Sequence, residues 1–314
     1  MSAPQESRPL LSVVIPVFDE EEGLPELRER LTAQLADVEG GVEIVYVDDG
    51  SSDGSARLIE SWIEAGDPVV LIALSRNFGM EIAMSAGLDE ASGEYVALMH
   101  ADLQDPPELI PQMLAVARDG ADVVYARRIG REESRMKRAL ATAFYRLMER
   151  LARVPYQGQA GDFRVMSRRV VDDIRRMPER RRFLRGMVAW VGYEQVPIEY
   201  RRAGRAQGRG ASYPELFRLA LEAFASFSDV PLSLVGYAGV VTSVLSALAG
   251  VVLLVLTVVG ALSASGYIWV LIAVLFLSGV QLISVGVLGR YLARVHEEAL
   301  ERPLYLVDRV VRPR

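Results

Sequence analysis

Read for its alternation of apolar and polar positions, the first half of the chain repeats a two-part pattern. LSVVIPV (11–17), EIVYVDD (43–49), VVLIAL (69–74), EYVALM (94–99) and DVVYA (122–126) are short, nearly continuous apolar runs. Such runs mark strands buried on both faces. Between them, residues 24–36, 54–65, 80–91 and 107–118 carry apolar side chains at helical spacing. Alternating strands and helices over this length predict an α/β domain, a mostly parallel sheet with both faces covered. In such sheets ligands bind beyond the carboxyl ends of the strands. That rule selects PVFDEE (16–21), DDGSSDGS (48–55), SRNFG (75–79) and HADLQDPPE (100–108).

The second half follows a different pattern. A long helix is expected over 134–151, then AGDFRVMSR (160–168) and a helix ending near Met177. RRAGRAQGRG (201–210) reads as a Gly/Arg-rich loop. From Pro214, Leu216, Phe217, Leu219, Ala220, Ala223, Phe224 and Phe227 share one broad helical face, which either lies in a membrane interface or packs on the domain core. Two uncharged stretches follow, about 231–261 and 267–289, parted by SASG (263–266). Each exceeds the roughly 20 residues that a bilayer-crossing helix needs. Neither shows the polar face that a helical hairpin in a soluble protein requires, so a transmembrane hairpin is expected. Arginines flank both outer ends: Arg201, Arg202, Arg205 and Arg209 before, Arg290 and Arg294 after. The positive-inside rule puts those ends in the cytoplasm. The polar start MSAPQESRP has no apolar leader segment. The expected division is a cytoplasmic domain over 1–212, an interfacial helix over 213–230, the hairpin over 231–289 and a cytoplasmic tail over 290–314. This is a multi-pass protein of the cytoplasmic membrane with its site on the cytoplasmic face.

Composition narrows the chemistry. The absence of cysteine excludes disulfides and thiolate metal sites. Net charge is −6, but acidic residues dominate the first 122 positions and arginine dominates 127–218, a basic half suited to lipid headgroups or a phosphorylated substrate. The overall acidity and the hairpin argue against nucleic acid. Neither GxGxxG nor GxxxxGK[ST] occurs, which disfavours dinucleotide oxidoreductases and P-loop NTPases. In an extended chain His100, Asp102 and Gln104 share one side, a half-shell for magnesium or manganese that a diphosphate would complete. Asp105 is expected to cap the helix that Pro106 and Pro107 begin, and Asp53 and Ser55 to cap another. Glu20 and Asp49 suit base N–H groups or ribose hydroxyls. Asp48 is either a further nucleotide contact or structural.

In order along the chain, VVIPVFDEEEGLPEL, VDDGSSDGS, LSRNFG, HADLQDPPELI, AGDFRVMSRRVVD and ERRRFLRGMVAWVGYEQ, followed by two apolar helices, resemble the polyprenyl-phosphate glycosyltransferases of glycosyltransferase family 2. The chain is similar to dolichol-phosphate mannose synthases and, more closely, to bacterial undecaprenyl-phosphate glucosyl- and aminoarabinosyl-type transferases. The likeness covers about residues 10–308. It implies a GT-A fold and metal-dependent, inverting transfer of a sugar from a UDP- or GDP-sugar to a membrane polyprenyl phosphate. By the same resemblance Pro16, Glu20 and Asp49, with Asp48, contact the nucleotide. Asp102, Gln104 and His100 hold the cation, Asp162 lies at the acceptor end, and Arg127 or Arg128, with Arg201 or Arg202 and Arg205, face phosphates. Asp102, Asp162 and Arg128 form the expected catalytic set. An acceptor phosphate is already anionic, its second pKa near ~6, so Asp162 is expected to orient rather than deprotonate. Three departures stand out: His100 where the family usually has aspartate, Met80 after NFG, and Ser212 in place of a lysine. They keep open a second reading, a membrane-anchored nucleotide-sugar binder without catalysis. A processive polysaccharide synthase would need a QxxRW segment, which is missing. A homo-oligomer is compatible with the anchor.

Overall fold

The computed structural model describes residues 8–129, 160–180, 182–201, 248, 252, 255, 259 and 266–313. All five apolar runs become strands: β1 Leu11–Val17, β2 Val42–Asp48, β3 Val69–Leu74, β4 Tyr95–Leu98 and β5 Val123–Ile129. The helical patterns between them become α1 Leu24–Leu35, α2 Ser55–Glu64, α3 Met80–Glu90 and, after a 3-10 turn at Pro107–Leu109, α4 Ile110–Arg118. Further along come β6 Ala160–Ser167, α5 Arg168–Arg176, α6 Leu184–Trp190, β7 Gln195–Arg201, α7 Gly266–Ala299 and β8 Val307–Val311.

The chain divides into two units, one of residues 1–149, 153–208 and 303–314, the other of residues 150–152 and 209–302. The first unit holds one sheet in the order β7-β5-β6-β4-β1-β2-β3-β8. Strands β1 to β4 pair in parallel, as does β5 with β7. Strand β6 runs antiparallel between β4 and β5, and β8 antiparallel along β3. The sheet is therefore mixed. Its continuous apolar runs follow from burial on both sides: Val13 and Ile15 enter one core cluster with Leu27, Leu31 and Ile110, while Val14 enters the other with Met84, Val170 and Val188. Close packing of α3 on β1 depends on Gly87, where an added Cβ would stand 2.2 Å from Val14 Cγ1. Pairing of Pro16 with Val47 and Val17 with Asp48 brings the ends of β1 and β2 level, so residues 18–21 lie beside 49–55.

In the second unit α7 is 34 residues long and uncharged until Arg290. Counted over described residues alone, no helix is long and apolar enough to cross a membrane. Many side chains between 266 and 289 lie outside that set. Also outside it are the expected helices over 134–151 and 213–230 and nearly all of the first apolar stretch, 231–261.

Candidate active site

At the carboxyl ends of the parallel strands, three of the four loops selected from the sequence are tied together by their own acidic and hydroxyl side chains, and the fourth comes near enough for Asp102 to act on Glu20. Asp19 adopts φ 53° and its Oδ1 accepts from the Ser52 amide at 2.7 Å. The Glu20 amide donates to Ser55 Oγ at 3.1 Å, and the Gly54 amide to Glu21 Oε2 at 2.8 Å. Asp53 Oδ1 accepts from the Ser55 amide at 2.9 Å, while Oδ2 accepts from the Glu21 amide; the N-cap of α2 is Gly54, with no side-chain capping bond, so neither Asp53 nor Ser55 is the expected cap.

Asp49 links the next pair of loops. Its two oxygens accept from the amides of Phe78 (2.7 Å) and Gly79 (2.8 Å). Burial raises its pKa, the two amides oppose that, and Asp48 adds to it. The carboxylate expected to read a nucleoside thus also holds the NFG loop. Gly50 (φ 73°) allows the close approach: a Cβ would lie 2.6 Å from the Arg76 carbonyl carbon. Asp48 Oδ1 accepts from the Ser51 amide, and both Asp48 and Pro16 are buried. Arg76 stacks on Phe78, 4.0 Å from the ring centroid, and Phe18 stands half-exposed.

At the end of β4 the extended geometry expected for His100, Asp102 and Gln104 does not hold. The strand stops at Leu98, Leu103 takes φ 57°, and the Gln104 amide turns back to Asp102 Oδ1 at 3.1 Å. Alternation of side chains fails once the backbone leaves the β region. His100 instead directs Nε2 to Asp162 Oδ2, 3.4 Å away, within ion-pair range but without hydrogen-bond geometry. The extended alternation on which a shared half-shell was argued is therefore absent here, and His100 Nε2 faces Asp162. Among the described residues no three His, Asp or Glu converge as a metal cluster. Asp105 is buried and accepts from the His100 amide at 3.2 Å, so it braces this turn.

Asp162, the third residue of β6, is the centre of a buried charge network. Arg185, from the first turn of α6, forks onto it: Nε lies 2.5 Å from Oδ1, and Nη2 bonds Oδ2. Arg164 is buried and donates from Nη2 to the Gly161 carbonyl at 2.8 Å and from Nε to the Asp162 carbonyl at 3.2 Å. Burial alone would raise Asp162, but Arg185, then His100 and Arg164, hold it well below the usual carboxylate range. Burial, with Arg185 adding to it, brings the Arg164 guanidinium down to about 10, against the pull of Asp162. His100 is the converse case: burial disfavours its charge, yet Asp162, Asp105 and Asp102 raise its pKa.

Arg127 forms an ion pair with Glu199 across the β5–β7 register. Arg128 and Arg201 sit on β5 and β7, paired with Tyr200 and Ile129 respectively; their side chains, and Arg202 and Arg205 entirely, fall outside the described residues. Arg164, Arg185 and Glu81 were missed at the sequence level, although FLRG and the first turn after NFG lie in or beside the quoted motifs.

The profile of the family described as glycosyl transferase family 2 matches residues 12–175. An uncharacterized glycosyltransferase of Synechocystis sp. is 42% identical over 300 residues, 95% of this chain and 94% of its own length. The bactoprenol glucosyl transferase of Shigella phage SfV is 40% identical over 302 residues, 95% of this chain and 97% of its own. A solved glucosyl-3-phosphoglycerate synthase from Mycobacterium tuberculosis, in complex with Mn2+, UDP-glucose and phosphoglyceric acid, is 20% identical with a TM-score of 0.46, over 69% of this chain and 78% of that one. At that distance neither ligand nor metal transfers to this chain.

Proposed function

Since the chain belongs to glycosyl transferase family 2 and is a glycosyltransferase, we propose that it moves a sugar from a nucleoside diphosphate to a polyprenyl phosphate held in the membrane. The observation that carries this reading is the end-to-end identity of 40% with a bactoprenol glucosyl transferase. Such a likeness includes the C-terminal apolar half as well as the sheet.

Membrane attachment is part of the proposal. The uncharged run 266–289 continues as one helix into Arg290 and beyond, and its Tyr267, Val270, Val274, Val285 and Leu288 are exposed. Apolar side chains left uncovered along a helix fit lipid rather than water. With 231–261 as its partner, the helix would form the hairpin, with residues 213–230 in the interface and the acceptor phosphate confined to the same plane.

In the proposed step, an acceptor phosphate oxygen attacks the anomeric carbon. The bond to the donor diphosphate breaks, and a single displacement inverts that centre. The nucleophile arrives ionised, so no general base is needed. A carboxylate as acidic as Asp162 is a poor base, which supports orientation as its role. Pro16, Glu20, Asp48 and Asp49 form the proposed nucleotide end, and Arg127, Arg128, Arg201, Arg202 and Arg205 the proposed phosphate contacts. Glu20 bears on the cation: burial, then the negative charges of Asp102 and Asp53, push its pKa up. Asp102, with Gln104 from the same turn, fits magnesium or manganese if diphosphate oxygens complete the shell. A bound cation would neutralise charge developing on the leaving diphosphate.

The test supplies purified, detergent-solubilised protein with undecaprenyl phosphate and labelled UDP- and GDP-sugars, with manganese, magnesium or EDTA. A labelled glycolipid that disappears with EDTA is expected. Donor binding without product under any metal would replace this reading with a non-catalytic nucleotide-sugar binder.

A further inference from the structure

Glu81 touches none of the groups to which the reaction assigns a role, yet it sits among them. It is the second residue of α3, two positions after Gly79, whose amide is held by Asp49. Its Oε2 accepts from the Leu184 amide at 2.9 Å, across 103 residues of sequence. Leu184 opens α6, and the next residue is Arg185, the fork on Asp162. Burial raises the Glu81 pKa; the Leu184 amide opposes this, the Asp162 charge adds to it, and Arg185 and Arg164 oppose it. A carboxylate in such surroundings is retained at an energetic penalty unless its contacts repay it. The contact it makes is with the backbone that aims Arg185.

We propose that Glu81 is a positioning residue, fixing the first turn of α6 so that Arg185 holds Asp162 in its working orientation. The inference rests on the proposed transfer reaction and adds to it the residue that joins the NFG loop to the acceptor end. A chain of hydrogen bonds then runs from Asp49 through the NFG amides and α3, and from Glu81 through Leu184 and Arg185 to Asp162. Its consequence is a selective one: loss of Glu81 disturbs turnover and leaves the donor end, built on β1 and β2, as it was.

The test uses the full-length protein in the lipid-acceptor assay, with donor binding and melting followed in parallel. Glu81→Ala is expected to lower kcat about tenfold or more while the donor KM stays within about twofold. Glu81→Gln, whose amide oxygen still accepts the Leu184 N–H, should recover kcat to within about threefold of wild type. In an Arg185→Lys background, Glu81→Ala should lower kcat by less than about threefold further, because both residues act through one carboxylate. Unchanged kcat in Glu81→Ala overturns the proposal, as does an equal loss in both backgrounds. Should the alanine variant not fold, Glu81→Asp, with the same charge but one methylene less reach, replaces it with the same outcomes read. A wild-type protein that glycosylates no lipid acceptor defeats the reaction reading and this inference with it; an active wild type indifferent to Glu81 defeats this inference alone.

Discussion

Asp162 shows how far one residue's role depends on its neighbours. Replaced by asparagine, it keeps its shape and loses the charge that Arg185 and Arg164 surround. Asp162→Asn is expected to lower kcat by about a hundredfold, a magnitude in line with loss of one preorganised charged group, while donor affinity measured by calorimetry stays near wild type. Its pH signature has a definite sign. Arg185, Arg164 and His100 hold the folded carboxyl below its ordinary value, with Glu81 the like charge nearby. Its stabilisation is therefore complete above about pH 4 and is lost as pH falls below that. The difference in melting temperature between wild type and Asp162→Asn should narrow as pH is lowered from about 6 to about 3; a constant gap would contradict the pairing. Asp162 was legible in AGDFR. Its partner Arg185 was not, because the two are 23 positions apart and no local pattern joins them. The extended run expected from His100 to Gln104 was not kept, since a left-handed Leu103 and the Asp102 turn break it, and Nε2 of His100 faces Asp162 instead.

Among the elements, α3 carries the NFG loop at its start and needs both its packing and its end secured. Gly87 lets it approach β1, and Gly87→Ala, which sets a Cβ into Val14, should destabilise by about 1–3 kcal/mol as overpacking does. At the other end Arg175 of α5 donates to the carbonyls of Asp89 (2.9 Å), Ala91 (2.8 Å) and Leu88. Arg175→Ala removes partners of those helix-end carbonyls and should lower stability by about 1–3 kcal/mol, the range for leaving a buried acceptor unsatisfied; urea unfolding of both variants measures it. The existence of α3 was readable from its apolar spacing. That α5 would cap it was not, since Arg175 and Leu88 lie 87 positions apart.

For the molecule as a whole, the return of the chain to its sheet is the least expected feature. The segment after α7, read as a tail, contributes β8 to the edge of β3. Tyr305 donates to Asp89 Oδ2 at 2.8 Å, Arg309 Nε to Glu60 at 2.7 Å, and the Ser75 amide to the Leu306 carbonyl at 2.9 Å. Removing residues 303–314 would uncover the β3 edge, whose last strand residue precedes the SRNFG loop. Light scattering should then show self-association of the truncated protein, the usual fate of a bare apolar edge, together with a lower melting temperature. A truncated form that stays dispersed and equally stable would make β8 dispensable. The proposed hairpin has its own test: the full chain should stay with the membrane pellet through high-salt and alkaline washes, as inserted helices do.

What the chain determined by itself was short-range: five strands, the four helices between them and the polar loops at the strand ends, because burial on two faces or one imprints a period within a few residues of sequence. The uncharged stretches announced themselves for the same reason, by length alone. The tertiary structure decided the rest. It inserted β6 antiparallel between β4 and β5, turned His100 towards Asp162, and joined Glu81 to the turn that carries Arg185 across 103 positions of sequence. Ion pairs depend on distance in space, and distance in space is set by strand order, which leaves no periodic trace in the sequence.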